Sequence, residues 1–207
     1  MNRRHVLRCL GAVILAAPIA ELLREIVPRA ERIAVLANRS NPVAVPILRA
    51  TESAAQQIRM KLRVLDVRKP ADVAVVFETM GREQTDAFVL VADPLLFSER
   101  VAIVQLAARH RLPAVYETSL FPEVGGLLSY GPLPQERFQR MAVYVDRILR
   151  GARPADLPME RPTTFELVVN LKTARTLGLT IPQALLLRAD HVIELSRGAT
   201  MGRRRSV

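Results

Sequence analysis

Polar side chains recur where the apolar segments that the sequence predicts as strands come to an end. The apolar run Ile33–Ala37 is followed by Asn38, Ser40 and Asn41. Later segments end in a similar way, with Asp93, Tyr116, Glu117, Ser129 and Tyr130. In an open α/β sheet, ligands bind beyond the carboxyl ends of the strands. The hydrogen-bonding, acidic and aromatic groups at these positions are typical of a small-molecule binding site.

Two of these positions share a local design. Asn41-Pro42 and Asp93-Pro94 each place a favoured helix cap before a proline. Such caps satisfy backbone N–H groups and are worth about 1 kcal/mol each, which would explain them without any ligand. A helix N-terminus also attracts a carboxylate or another anion, so both interpretations stay open. Tyr116 is likewise either part of an aromatic wall of the site or a residue at the edge of the core.

No catalytic signature accompanies these residues. The sequence contains no glycine-rich phosphate loop, no GxSxG and no HExxH. Cys9 is the single cysteine, and His5, His110 and His191 are too scattered to indicate a metal site. We therefore predict a protein that is not an enzyme and needs neither a metal nor a cofactor.

Composition is that of a globular chain with an aliphatic core. Of the 207 residues, 50% are hydrophobic and 4% are aromatic. The formal charge is +10, from 30 Lys and Arg against 20 Asp and Glu. Nucleic-acid binding is not favoured, because the arginines are spread over every predicted helix and no aromatic residues lie among them for base stacking.

The N-terminus predicts an export signal over residues 1–20. Basic residues, including Arg3-Arg4, precede an apolar run over 9–20 that is shorter than a membrane-spanning helix needs. The paired arginines resemble a twin-arginine signal. A membrane anchor or an N-terminal helix of the fold is the alternative, so the segment is either cleaved or retained.

Strands and helices then alternate from Ile33 to Tyr116, which predicts right-handed βαβ units, a parallel sheet and helices on both faces. Pro94 opens a helix for which we expect Phe97, Val101, Val104 and Ala108 to form the buried side. The predicted strands are Ile33–Ala37, Leu62–Val67, Ala87–Val91, Pro113–Tyr116 and Leu127–Tyr130, and the predicted helices are Glu21–Val27, Val43–Arg59, Ala71–Glu83 and the one from Pro94.

The pattern changes after Pro132. A long helix over Gln135–Arg150 and a proline-rich connection lead to the strand Phe165–Asn170. Leu171–Leu177 and Pro182–Arg188 read as short helices before His191–Glu194, and the residues from Ser196 onward as a disordered basic tail. The predicted units are the signal over 1–20, an α/β lobe over 21–131, an α/β extension over 132–195 and the tail over 196–207.

Several blocks of this sequence resemble a family of bacterial ABC importer proteins. They are RIAVLANRSNP, FVLVADPLLF, ARHRLPAVYE, GGLLSYGP and, above all, PTTFELVVNLKTARTLGLTIPQALLLRADHVIE. These blocks are similar to substrate-binding proteins of the type I periplasmic fold, related to aromatic-amino-acid-binding members. The resemblance runs from about Glu21 to Glu194.

The resemblance implies two α/β lobes that close on a solute held between them. It carries over as candidate contacts the Ser40/Asn41 loop, Asp93, Tyr116, Glu117 and Tyr130. Asn38 is a further candidate from its position at a strand end. An inner-membrane ABC permease, an amino-acid-like solute and a periplasmic location are implied as well. Family members have a whole first lobe before the segment that matches Glu21, so we expect an incomplete binding protein with impaired affinity and some exposed apolar surface.

The alternative is a stand-alone flavodoxin-like interaction or regulatory domain. It would require the first twenty residues to be retained and the chain to stay in the cytoplasm.

Overall fold

The computed structural model of the chain describes residues 18–57, 60–158, 162 and 164–194. Seven strands form one sheet in the order β2-β1-β3-β4-β5-β6-β7. The strands are β1 (Arg32–Ala37), β2 (Lys61–Asp66), β3 (Ala87–Leu90), β4 (Ala114–Tyr116), β5 (Leu128–Pro132), β6 (Phe165–Asn170) and β7 (His191–Ile193). The first five are parallel, whereas β6 runs antiparallel to β5 and parallel to β7. The predicted α/β class is confirmed.

Helices lie on both faces of this sheet. Residues 18–26 lie in the first helix, α1, and a single 3-10 turn spans Pro154–Asp156. The other helices are α2 (Ala44–Gln57), α3 (Asp72–Arg82), α4 (Pro94–Ser98), α5 (Arg100–Arg109), α6 (Leu120–Glu123), α7 (Pro134–Leu149), α8 (Leu171–Thr176) and α9 (Gln183–Arg188).

Both faces of the sheet carry an aliphatic core. Residues of α1, α2, α8 and α9 pack on one face, and α3, α4, α5 and α6 cover the other. Strand β3 is buried along its whole length, as expected for a strand covered on both sides. On the second face, Phe77 meets Phe88 edge-on at 5.4 Å between ring centroids, an arrangement that aromatic pairs favour.

The extension after Pro132 belongs to the same sheet. Strand β6 pairs with β5 from Leu128↔Val169 to Pro132↔Phe165. Its buried residues Leu167 and Val169 join the core beside Ala174 and Leu185. Gly178, at φ +72°, ends the segment that contains α8, as its sequence position predicts.

The buried side of the helix that begins at Pro94 differs from the prediction. Phe97 and Val101 are exposed, whereas Leu96, Ile103 and Ala107 are buried. The predicted single helix is two, because α4 ends at Ser98 and α5 begins at Arg100. The buried face is shifted by one residue, or about 100° around a helix, and the shift is already present in α4, where Leu96 is buried and Phe97 is exposed. Of the predicted set, Val104 is buried and Ala108 is exposed.

Helix α7 leaves most of its apolar residues uncovered. Phe138 is 67% exposed and Met141 and Val145 are each 55% exposed. A protein surface rarely keeps such a continuous apolar stripe without a partner. We call Phe138, Met141, Val145 and Ile148 the α7 stripe.

The predicted terminal segments fall largely outside the described residues. This holds for residues 1–17 of the expected export signal and for the whole basic tail over 196–207. Residues 18–20 are helical and continuous with 21–26, and Ile19 packs against the core. None of the helices in the described part of the chain combines the length and the apolar character needed to cross a membrane.

A pair of phenylalanine substitutions tests this distribution of buried surface. Phe77→Ala removes a fully buried ring, so we expect the free energy of unfolding to fall by about 3–5 kcal/mol. Phe138→Ala truncates an exposed ring and should change it by no more than about 0.5 kcal/mol. Urea unfolding followed by circular dichroism measures both, and equal losses would contradict the fold.

Candidate functional site

Three neighbouring strands direct their carboxyl ends to one edge of the sheet. β1, β3 and β4 are adjacent and parallel, so the loops that follow them lie side by side. The predicted polar residues Asn38, Ser40, Asn41, Asp93 and Glu117 lie in these loops. We call this group of loops the rim.

The loop after β1 is fixed by hydrogen bonds at its base. The Ser40 N–H donates to Asn38 Oδ1 at 3.0 Å, and the Arg39 N–H donates to Asp66 Oδ1 at 3.0 Å. The other carboxylate oxygen of Asp66 accepts from Arg68 Nε at 2.7 Å. Asp66 lies at the end of β2 and holds the loop from the neighbouring strand. Ser40 remains exposed at the tip.

A side-chain hydrogen bond joins the loops after β1 and β3. Asn41 Nδ2 donates to Asp93 Oδ2 at 2.8 Å. The Asn41 side-chain oxygen and the second Asp93 oxygen each accept from the backbone two residues further on. Asn41 Oδ1 accepts from Val43 N–H at 3.0 Å and Asp93 Oδ1 from Leu95 N–H at 2.8 Å. Both side chains therefore position their loops, although only Asp93 caps a helix.

Asp93 acts as a buried structural cap in this structure. It is 6% exposed, and its two carboxylate oxygens accept the bonds from Asn41 and Leu95. Helix α4 has only five residues, so its dipole offers little to an anion. The helix-cap interpretation thus accounts for the Asp93 contacts. Asn41 lies before α2 as part of a turn, since α2 begins at Ala44.

Glu117 and Tyr130 lie further along the same edge. Glu117 is half-buried and lines a small apolar cavity of about 70 Å³ together with Val91 and Ala92. The Tyr130 ring, also half-buried, stacks on Phe165 at 5.7 Å between centroids and 19° between planes. Residue 131 must be glycine, because a Cβ on Gly131 would overlap the carbonyl oxygen of Glu117.

Tyr116 belongs to the core and not to the exposed rim. The residue is 1% exposed, and its ring stacks on Phe121 at 4.5 Å between centroids. Of the two alternatives that the sequence left open for this residue, the structure favours the core. Burial raises the pKa of the Tyr116 hydroxyl well above its usual value, so this group stays protonated at neutral pH.

Two residues that position the rim were missed from the sequence. Asp66 satisfies the same strand-end rule as the other candidates and could have been found by it. Gly131 gave no such signal, since its role depends on the approach of β4 to β5.

Ser129 is fully buried in β5, and its Oγ has no hydrogen-bond partner among the described residues.

Asp93→Ala tests the link between the two loops. Loss of the cap and of the bond to Asn41 should lower the free energy of unfolding by about 1–3 kcal/mol. Because Asn41 and Asp93 bond each other, the double variant with Asn41→Ala should lose less than the sum of the two single variants.

The matched control for this experiment is Asp156→Ala, which breaks an exposed ion pair with Arg153. It should change the free energy by no more than about 0.5 kcal/mol. Denaturant titration measures all four variants. Strict additivity of Asn41→Ala and Asp93→Ala would show that the loops are not coupled.

Tyr116 makes the free energy of unfolding depend on pH in the alkaline range. Its folded-state pKa lies above the value of about 10 for an unfolded tyrosine, so its contribution is fully present below pH ~10. It is lost as the pH rises from there, by about 1.4 kcal/mol per pH unit. Tyr116→Phe should remove this part of the decline between pH 9 and pH 11 in urea titrations, and an identical slope in both proteins would contradict the assignment.

Comparison with known proteins identifies a family and several similar structures. The sequence model of the ABC transporter substrate-binding proteins matches residues 14–193. A conserved domain protein from Vibrio cholerae is 27% identical, with a TM-score of 0.81, and covers 86% of this chain. An ABC domain from Streptococcus pneumoniae, solved in complex with L-Trp, is 25% identical with the same TM-score and coverage.

A substrate-binding protein with adhesive properties from Clostridium difficile shares the fold, at 20% identity and a TM-score of 0.64. The matches cover only 60% of the Vibrio and Streptococcus chains and 59% of the Clostridium chain. This chain therefore spans about three fifths of the length of these solved structures. No curated protein sequence matches it significantly.

Proposed function

Because the chain belongs to the family of ABC transporter substrate-binding proteins, we propose that it is the solute-binding component of a bacterial ABC importer. The solute lies at the rim, against Asn38, Ser40, Asn41, Glu117 and Tyr130, with Asp93 fixing the loops. This role needs an ABC permease of the inner membrane as partner and a periplasmic location. It involves no catalysis and no cofactor.

The observation that carries this proposal is the hydrogen bond between Asn41 and Asp93. At 2.8 Å it ties together loops that are 52 residues apart in the chain. A binding site must hold its contacts in a fixed arrangement, because every loop that a ligand has to order costs affinity. The loops after β1 and β3 have this property before any ligand arrives.

The chemistry of the rim favours a small zwitterion such as an amino acid. Glu117 supplies a carboxylate for an ammonium group, and the exposed Ser40 can donate to a carboxylate. The stacked rings of Tyr130 and Phe165 offer aromatic surface nearby. The similar Streptococcus structure contains L-Trp, so an aromatic amino acid is the first ligand to test.

We expect the binding by this chain to be impaired. Ligand pockets normally enclose about 300–1,000 Å³ and bury most of the ligand surface. The apolar cavity that Glu117 lines measures only about 70 Å³, well below this range. A ligand held on one side alone keeps much of its surface in water, which costs affinity.

A second lobe would supply the other side of the site, and we infer that the described residues correspond to one lobe of a two-lobed protein with its extension. The α7 stripe supports this part of the proposal, because its 67% exposed Phe138 and 55% exposed Met141 would be covered by such a lobe. The lengths of the similar structures agree with it, since they extend well beyond the match.

Titration of ¹⁵N-labelled protein with L-Trp tests the site and the impairment together. We expect shifts of the backbone amides at residues 38–41 and 117, with half-saturation in the millimolar range. Glu117→Gln should weaken the binding about three- to tenfold by removing the charge that pairs with the ammonium group. The matched control Glu83→Gln, at an exposed ion pair with Arg63, should not change it.

Two results would contradict the proposal. Micromolar affinity in the unaltered protein would show that binding is not impaired. An absence of amide shifts at the rim with L-Trp, L-Phe and L-Leu would show that the rim does not bind these amino acids.

A further inference from the structure

A second cavity lies on the face of the sheet that carries α6. Helix α6 has only four residues and covers β5 and β6 in part. Beside it the sheet face is open, and the space there measures about 400 Å³. Its walls include Leu120, Glu123, Glu166, Val168, His191 and Ile193.

A mostly buried carboxylate forms part of this wall. The Glu166 side chain is 9% exposed, and no hydrogen bond to it is present among the described residues. Its ion-pair contact in this part of the chain is with His191, whose Nε2 lies 4.0 Å from Oε2. That separation exceeds a hydrogen bond, and the His191 ring is itself 72% exposed. The carboxylate lines the open cavity and accepts no hydrogen bond from the described residues, so a donor that enters the cavity can reach it.

The position of Glu166 is fixed by the strand that carries it. Glu166, Val168 and Asn170 alternate along β6 and face the same side. Asn170 Nδ2 donates to the Pro122 carbonyl of α6 at 2.9 Å, which holds this helix against the strand. At the other side, the Leu167 N–H donates to Asp190 Oδ2 at 2.8 Å and anchors the start of β7. Glu166 and Val168 are therefore held in place by a paired strand, and Ser119 and Leu133, which lie between elements, complete the lining.

The charge of the cavity is opposite to that of the chain as a whole. The chain carries 30 Lys and Arg against 20 Asp and Glu. Yet the described residues that line this cavity include two carboxylates, Glu123 and Glu166, and no lysine or arginine. The remaining walls are mainly aliphatic, from Leu120, Val168 and Ile193. A cation with an apolar body matches both features.

We propose that this cavity binds a small organic cation, with a protonated amine paired to Glu166 and an apolar body against Val168, Leu120 and Ile193. This site borders the rim at Ser119, in the loop after β4, but it lies on the α6 face of the sheet, whereas the cavity beside Glu117 lies on the face of α1 and α2. The proposal does not rest on the solute-binding role. It would stand even if the rim bound nothing.

Phenethylammonium and its neutral analogue 2-phenylethanol are suitable probes, because they share the apolar body and differ in charge. Isothermal titration should show saturable binding of phenethylammonium to the full chain and at least tenfold weaker binding of 2-phenylethanol. Glu166→Gln, which keeps the shape of the side chain, should weaken phenethylammonium binding at least tenfold. Glu83→Gln is the matched control and should leave it unchanged.

Glu117→Gln distinguishes this cavity from the rim. If phenethylammonium binding falls with Glu117→Gln and not with Glu166→Gln, the cation binds at the rim and the proposal is wrong. Equal affinity for the two probes, or no binding of phenethylammonium, would also overturn it. Circular dichroism and the urea midpoint of Glu166→Gln establish that the variant is folded, and backbone amide shifts at residues 120–123, 166–168 and 191–193 should locate the ligand.

Discussion

The rest of the structure depends on the burial of β1 and β3 on both faces of the sheet. Every residue of β1 after Arg32 is buried, and so is all of β3. Strands in this environment cannot carry polar side chains without a large desolvation cost. The polar groups are therefore confined to the ends of the strands. Since β1 and β3 are parallel neighbours, their carboxyl-terminal loops meet, and the hydrogen bond between Asn41 and Asp93 follows from this constraint.

The same constraint explains how much of the fold could be read from the sequence. A short, continuous apolar run such as Ala87–Leu90 is typical of a strand that is covered on both faces of a sheet. The strands and their order along the chain were therefore predictable. The buried face of the segment from Pro94 was not, because Leu96 and Phe97 are both apolar and only the packing against the sheet decides that Leu96 is buried and Phe97 exposed. The antiparallel pairing of β6 with β5 also joins residues distant in the chain, and no short-range signal specifies it.

For the candidate site, the sequence predicted positions better than side-chain directions. Tyr116 and Glu117 are neighbours in the chain, yet the first is buried against Phe121 while the second is half-buried beside the other face. Successive side chains of a strand point to opposite faces, and a shift of one residue decides which of them meets a ligand. The contributions of Asp66 and Gly131 require contacts between strands, as does the cavity around Glu166. Such contacts exist only once the sheet has formed.

The two outer strands of the sheet have a further consequence for association. β2, at one edge, exposes Lys61 and Arg63, and β7, at the other, has only three residues. Charged side chains and short lengths at sheet edges oppose the addition of a strand from another molecule. Growth into β-linked aggregates is thus disfavoured at both ends of the sheet.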